Sequence, residues 1–112
     1  MLKKPYRIIK NKEYKDILNS GRFLRNRFFL LKFKPNNLKN SRFGIVVSTK
    51  VSKKAVDRNL VKRRVREIIR ANLENIKDGF DVVLVMKKES LGLNYSEIEH
   101  NIVNSLCEAN LL

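Results

Sequence analysis

The longest periodic pattern in the chain is AVDRNLVKRRVREIIRANL, which spans residues 55–73. Its apolar residues recur at intervals of three and four, the spacing that places side chains along one stripe of an amphipathic helix. This stripe consists of Val61, Val65, Ile68, Ile69 and Leu73. We therefore predict a long helix over residues 55–73 that buries one side against a hydrophobic core.

The opposite side of this helix carries a row of cations. At successive four-residue intervals the row contains Arg58, Lys62, Arg66 and Arg70, and it is flanked by Asn59 and Arg63. Like charges at this spacing repel by about 0.2–0.5 kcal/mol for each exposed pair, so an anionic partner would explain the row. Arginine binds two phosphate oxygens with its planar fork, which favours a phosphate backbone as that partner. The alternative is a solvated helix face on which Glu67 reduces the repulsion between the cations.

The chain as a whole is strongly basic. Its 112 residues include 25 Lys and Arg against 11 Asp and Glu, which gives a formal charge of +14 at pH 7. The excess is regional, because residues 1–70 hold 22 basic and 4 acidic side chains whereas residues 71–112 hold 3 and 7. This asymmetry disfavours a uniformly charged surface that serves only solubility. We expect nucleic acid as the partner, because binding to a basic surface releases the counterions of a polyanion.

A shorter helix is predicted near the start of the chain, over residues 11–20. Asn11 can cap this helix and Gly21 can end it. Its packing side would consist of Tyr14, Ile17 and Leu18.

Strands are predicted between the two helices. Residues 28–34 and 42–48 are rich in apolar and aromatic side chains and are separated by turn-forming residues, while residues 21–26 allow a shorter strand. The short link at residues 35–41 predicts that the strands on either side of it form an antiparallel hairpin.

The last third of the chain adds one strand and one helix. Residues 80–86 form a nearly continuous apolar run, which indicates a central strand covered on both faces. A final helix is predicted after Asn94, where Glu97 completes a capping-box pattern. Its packing stripe would consist of Tyr95, Ile98, Ile102 and Leu106. This order of elements predicts one α+β domain over residues 1–112, with helices mainly on one face of a sheet.

Cysteine usage and hydropathy indicate the compartment. Cys107 is the only cysteine, which excludes an internal disulfide, and we expect it to be a small buried apolar residue. No apolar run approaches the ~20 residues of a membrane helix, and the basic start at Lys3 and Lys4 is not followed by the apolar core of a signal peptide. We expect a cytoplasmic protein with no membrane partner.

Side chains that could cleave a phosphodiester are sparse. His100 falls on the acidic last helix, where we expect it to be exposed, and Cys107 follows two turns or ~10 Å later, too far to share a metal ion with it. Asp78 and Asp81 could bind a metal ion, but turn and strand-edge roles explain them equally well. Neither a phosphate-binding loop nor a nucleophile elbow occurs. We predict no catalytic residue and no metal site in the protein.

Residues 55–67 resemble the signature helix of the bacterial ribonuclease P protein. The Arg-Asn-x-x-Lys-Arg-x-x-Arg core of that helix matches residues 58–66 throughout. Further points of resemblance are residues 42–45, Lys50, the basic loop at Lys53 and Lys54, Arg7, and residues 11–21. The resemblance covers approximately residues 5–108.

This resemblance implies a specific fold and a specific assembly. The fold would be an αβββαβα sandwich with a mixed sheet and a left-handed crossover through the signature helix, of the ribosomal protein S5 domain 2-like type. The protein would be the subunit of ribonuclease P that binds a catalytic RNA and the 5′ leader of precursor tRNA. One protein would join one RNA, and the RNA would perform the Mg²⁺-dependent cleavage without a protein-bound cofactor.

The resemblance also assigns residues to two surfaces. The surface for the ribonuclease P RNA would consist of Lys53, Lys54, Arg58, Asn59, Lys62, Arg63, Arg66 and Arg70. A cleft between the first helix and the sheet would receive the single-stranded leader through Arg7, Lys10, Asn11, Tyr14, Leu18, Phe29 and Arg42. Aromatic residues near cations suit this task, because they stack bases while the cations neutralise phosphates. For Phe29 a purely structural place in the core remains an equal alternative.

Two positions depart from the family pattern. Family members commonly carry phenylalanine where this chain has Tyr14 and Leu18, and the second change removes a ring that could stack on a base. We expect Leu18 to retain an apolar contact.

Two other classes of protein share some of these features. A ribosomal or other structural RNA-binding protein would also be small and basic with a cationic helix, but it would form no cleaving complex. A DNA-binding regulator could place the long helix in a major groove, although no partner helix precedes it in the sequence.

Overall fold

The computed structural model describes residues 2–112, and its elements follow the predicted αβββαβα order. The helices are α1 (Asn11–Ser20), α2 (Ala55–Asn72) and α3 (Tyr95–Glu108). The strands are β1 (Arg22–Arg25), β2 (Phe29–Pro35), β3 (Arg42–Val46) and β4 (Phe80–Met86). Short 3₁₀ turns occupy Lys4–Tyr6, Leu73–Asn75 and Lys88–Gly92.

The four strands form one mixed sheet in the spatial order β1, β2, β4, β3. β1 pairs antiparallel with β2, β2 pairs antiparallel with β4, and β3 pairs parallel with β4. The predicted hairpin between β2 and β3 is therefore wrong, because β4 inserts between these two strands. A parallel pair needs a crossover connection, and α2 provides it between β3 and β4.

β4 lies in the centre because both of its faces are apolar. Val82 and Leu84 point to one face and Val83 to the other, and all three are buried. A strand of this kind is stable only where both faces are covered. The sequence prediction of a central strand at residues 80–86 is confirmed.

The larger core lies on the face of the sheet that packs against α2 and α3. It is formed by Phe29, Leu31, Phe33, Phe43, Val82 and Leu84 from the sheet, with Val61, Val65, Ile68, Ile69, Ile98, Ile102 and Leu106 from the helices. The apolar stripe predicted for α2 thus enters the core, whereas the predicted stripe of α3 loses Tyr95, which is 41% exposed.

A smaller core lies on the opposite face, under α1. Ile8, Ile17 and Val83 form it, with Tyr14 and Leu18 packed at its margin. The prediction that helices lie mainly on one face is correct for α2 and α3 but not for α1. The sheet is therefore sandwiched between helices.

Two of the three sequence-predicted helix ends of α1 and α3 are confirmed. Asn94 and Glu97 exchange backbone hydrogen bonds in the predicted capping box of α3. Gly21 ends α1, and any larger residue there would bring its Cβ within 2.6 Å of the Ile17 carbonyl oxygen. The predicted Asn11 cap is wrong, because Asn11 is the first helical residue of α1 and Lys10 takes the cap position.

Cys107 is exposed, which contradicts the expected burial. The buried stripe of α3 runs through Ile98, Ile102 and Leu106. Cys107 comes directly after Leu106, about 100° further around the helix, and therefore falls outside the stripe.

An ion cluster fastens α1 to the sheet. The Arg42 guanidinium binds both carboxylate oxygens of Asp81, at 2.9 and 2.7 Å, and Glu13 of α1 at 2.8 Å. Asn36 donates a further hydrogen bond of 2.9 Å to Asp81. Hydrogen bonding to Asp81 raises the pKa of Arg42 further above its usual value. Because Asp81 is buried, this cluster holds the start of α1 against β3 and β4.

Arg42→Ala should lower the free energy of unfolding by about 2–4 kcal/mol, because it leaves the buried Asp81 carboxylate without its cation. Arg70→Ala is the matched control. It breaks an exposed pair with Glu67 and should cost about 0–1 kcal/mol. Urea unfolding of both variants checks the difference, and equal losses would mean that the Arg42 cluster does not stabilise the fold.

Candidate nucleic-acid interface

The cationic row predicted from the sequence lies on the outer side of α2, away from its buried stripe. Asn59, Arg63 and Arg70 are exposed, and Arg58, Lys62 and Arg66 are half-buried along the flank. A groove of about 440 Å³ is lined by Asn59, Lys62, Arg63, Arg66 and Glu67. The helix therefore presents five cations and the Asn59 amide on its outer side, as the spacing predicted.

The first turn of α2 is fastened to the loop that precedes it. The Ser52 hydroxyl donates to Asp57 at 2.9 Å, and the Arg58 guanidinium donates to the Ser52 carbonyl at 2.9 Å. Asp57 also lies at the positive end of the helix dipole. These contacts hold the exposed Lys53 and Lys54 next to the beginning of the row.

The members of the row are not equivalent. Arg70 pairs with Glu67 at 2.9 Å, and this hydrogen bond lowers the pKa of the Glu67 carboxyl. Part of the Arg70 charge is therefore offset within the protein. Arg64 is on the same helix but outside the row, and its guanidinium donates to the Leu93 carbonyl at 3.2 Å. The exposed charge of the row is concentrated at Lys62, Arg63 and Arg66.

Tyr14 lies over Gly44 on the other face of the sheet. A Cβ at position 44 would lie 2.7 Å from the Tyr14 hydroxyl oxygen, so the ring can approach β3 this closely only because the residue is glycine. The hydroxyl donates to the Ile8 carbonyl at 3.0 Å, and burial raises its pKa. Packing on Gly44 and the hydrogen bond to Ile8 thus hold the half-buried Tyr14 ring in place.

A cavity of about 200 Å³ connects the two predicted surfaces at the edge of β3. Its lining includes Arg7, Tyr14 and Arg66. Arg7 is held there by a parallel bridge to Phe43, and its Nε atom is buried without a hydrogen-bond partner within residues 2–112. Arg66 therefore belongs to the row on α2 and also to the side of the sheet that α1 covers.

Beside α1 the sheet exposes a strip that the sequence analysis missed. Leu30, Val85 and Val46 occupy neighbouring strands in register, and all three are half-buried. Leu18 of α1 packs at the margin of the same apolar cluster. Alternation within each strand could have suggested one half-exposed face, but only the strand order brings these residues together.

Two predicted cleft residues are not available to a ligand on this strip. Phe29 is fully buried in the core that packs against α2 and α3, so its assignment as a leader contact is wrong. Arg42 lies on the same face of the sheet as the strip, but its guanidinium forms salt bridges with Asp81 and Glu13. The predicted residues that stay accessible beside α1 are Arg7, Lys10, Asn11, Tyr14 and Leu18.

The acidic and nucleophilic side chains are dispersed. Asp81 is bound to Arg42, and Asp78 is exposed in the turn before β4. His100 is exposed, as predicted, and lies 3.1 Å from the Asn104 amide. Among residues 2–112, no three His, Cys, Asp or Glu side chains lie close enough to hold a metal ion. None of the helices in the same range is both long and apolar enough to cross a membrane.

Over almost its full length the chain is similar in sequence to ribonuclease P proteins. The sequence model of the Ribonuclease P family matches residues 2–110. The ribonuclease P protein component of Clostridium novyi is 40% identical over 112 residues, which cover 98% of each chain. That of Fusobacterium nucleatum is 40% identical over 97 residues, covering 83% of this chain and 86% of the relative.

Solved structures with the same fold carry the same name. A ribonuclease P protein mutant of Staphylococcus aureus with defective mRNA degradation activity superposes with a TM-score of 0.91 at 28% identity, covering 97% of this chain and 92% of that one. The ribonuclease P protein of Thermotoga maritima superposes with a TM-score of 0.81 at 33% identity, covering 88% and 92%.

Proposed function

The chain belongs to the ribonuclease P protein family and acts in tRNA processing as the protein component of ribonuclease P; we propose that it does so by holding two RNAs at once. The outer side of α2 binds the ribonuclease P RNA, and the strip beside α1 binds the single-stranded 5′ leader of precursor tRNA. The observation that carries this proposal is that Arg66 lines both the groove on α2 and the cavity beside Tyr14.

The charge on α2 supports its assignment to the ribonuclease P RNA. Lys62, Arg63 and Arg66 repel one another in the free protein, and a folded RNA would offset this cost with phosphates. Arg58 and Asn59 extend the surface toward Lys53 and Lys54. A DNA-binding role receives less support, because α2 follows strand β3 and a loop, without the preceding helix of a helix-turn-helix.

The surface beside α1 suits an unpaired strand. Its floor is apolar at Leu30, Val46 and Val85, while Arg7 and Lys10 supply charge at the margin. Bases of a single strand can pack on such a floor while their phosphates contact the cations. A base-paired stem buries its base faces in the stack and could not use the floor in this way. The leader of a precursor is the unpaired segment that distinguishes it from mature tRNA.

We assign the cleavage chemistry to the RNA component. The carboxylates that could have taken part are used elsewhere, because Asp81 binds Arg42 and Glu13 binds the same guanidinium. General acid–base cleavage needs two groups within reach of one bond, and His100 contacts the Asn104 amide on its own helix. In this proposal the protein reduces repulsion between two polyanions and selects precursor over product, and Mg²⁺ acts on the RNA.

Arg63→Ala and Arg66→Ala should each weaken binding to a transcribed bacterial ribonuclease P RNA and reduce the salt slope by about one phosphate contact. The control is Arg64→Ala, which removes the same charge from the same helix on the side that contacts Leu93. Filter binding over a range of salt concentrations measures both quantities. The assignment fails if Arg64→Ala reduces the slope as much as the two row variants do.

Tyr14→Ala should weaken precursor binding to the holoenzyme by about 1–3 kcal/mol and leave mature tRNA binding unchanged, because only the precursor has a leader. Competition binding with the two RNAs measures the difference. Equal losses for both would mean that Tyr14 serves only the fold, through its hydrogen bond to Ile8.

Gly44→Ala provides a second route to the same result. The added methyl group must displace the Tyr14 ring without removing it, so the same selective loss is expected. Gly92→Ala is the control, because no atom lies within 4 Å of the Cβ it would add. Precursor binding that is insensitive to Gly44→Ala in a folded variant would contradict the role of Tyr14.

A further inference from the structure

We propose that Phe23 and Arg25 on β1 form a stacking platform for one base of the 5′ leader, beyond the strip beside α1. The inference rests on the proposed function, because it concerns the path of the same leader across the sheet. It adds a contact on β1, the edge strand at the other end of the sheet from β3 and the cationic row.

Phe23 is unusually accessible for an aromatic residue in a strand. It is 57% exposed, and the guanidinium carbon of Arg25 lies 5.6 Å from the centre of its ring. A single exposed apolar residue is common and needs no explanation. Here the exposed ring is joined to a cation on a strand whose outer edge has no neighbouring strand. That pairing of a ring with a guanidinium is the arrangement that stacks bases and binds phosphates.

The register of the sheet connects this platform to the strip beside α1. Arg25 pairs with Leu30, Leu30 with Val85, and Val85 with Val46, so the four residues form one row across the sheet. Phe23 pairs with Lys32, whose ammonium donates to the Leu18 carbonyl of α1. Paired residues point to the same face, so Phe23 and Arg25 continue the floor on the α1 side.

The length of this row suits a short single strand. Three spacings between neighbouring strands separate β3 from β1, which amounts to about 14 Å. A leader that enters beside Tyr14 and follows the row would therefore reach β1 after a few nucleotides. The platform lies at the β1 end of this row, where a leader base can stack on the exposed ring of Phe23.

Charge along this part of the chain favours RNA over a protein partner. Residues 17–56 contain ten Lys and Arg and no Asp or Glu. Arg22 and Arg27 flank the platform, and Arg27 lies 5.6 Å from the ring centre of Phe28. One carboxylate approaches the platform, because Glu108 at the end of α3 lines a cavity together with Arg22, Phe23 and Phe33. The partner that matches this charge is a polyanion with exposed bases.

Equilibrium binding to reconstituted holoenzyme tests the platform. The substrates are precursor tRNAs whose leaders grow one nucleotide at a time from about two to about ten, which starts below the site size of ~4–16 nucleotides known for single-strand grooves and extends into it. Phe23→Leu keeps an apolar side chain on β1 but removes the ring, whereas Phe23→Trp keeps a ring. We expect Phe23→Leu to weaken binding of the substrates with the longest leaders about tenfold and to leave binding of those with the shortest leaders unchanged. Phe23→Trp should bind at least as tightly as the unchanged protein.

A matched control separates stacking from loss of an exposed apolar residue. Leu38, in the loop after β2, is 49% exposed. Leu38→Ala should leave binding unchanged at every leader length. A loss for Leu38→Ala as large as that for Phe23→Leu would overturn the platform.

The other outcomes distinguish the platform from the proposed function. If the unchanged protein binds longer leaders more tightly and Phe23→Leu keeps that gain, the platform is wrong and leader binding stands. If leader length has no effect on the unchanged protein, leader binding itself fails and the platform with it. If Phe23→Leu instead abolishes association between copies of the protein, without any dependence on leader length, the surface binds a second copy and the platform is wrong.

Discussion

The burial of β4 on both faces is the constraint on which the rest of the structure depends. A strand that is apolar on both sides must lie inside the sheet, so β4 separates β2 from β3 and pairs parallel with β3. Parallel pairing then requires α2 to connect the two strands, which turns its apolar stripe inward and its cations outward. Val83 on the second face of β4 needs a cover as well, and α1 supplies it through Ile17.

This architecture gives the protein two surfaces of different chemistry that meet at one edge. The surface on α2 is cationic, which suits the phosphates of a folded RNA. The surface beside α1 has an apolar floor with charge at its margin, which suits an unpaired strand. Arg66 contributes to both because β3 is an edge strand and separates them by only one strand width. Carboxylates that could repel RNA near this edge are paired, since Arg42 binds both Glu13 and Asp81.

Sequence reasoning predicted the elements well and the long-range pairings poorly. Val61, Val65 and the other residues of the α2 stripe have a periodicity that fixes the helix and its buried side locally. The strand partners depend on β4, which follows β3 only after the whole of α2, so the short 35–41 link gave a misleading hairpin. The face of Phe29 depends on the same pairing. The sequence predicts Arg42 as a leader contact and does not reveal its ion pair, because its partner Asp81 lies 39 residues away in the sequence.

The central claim is that this protein makes ribonuclease P RNA an effective enzyme on precursor tRNA. Cleavage of a 5′-extended precursor by the cognate RNA at low Mg²⁺, with and without the protein, tests it most directly. Protein cations and Mg²⁺ neutralise the same phosphates, so we predict that cleavage at the mature 5′ end requires the protein under these conditions. A protein that binds the cognate RNA but leaves cleavage unchanged would contradict the account and indicate a structural RNA-binding protein.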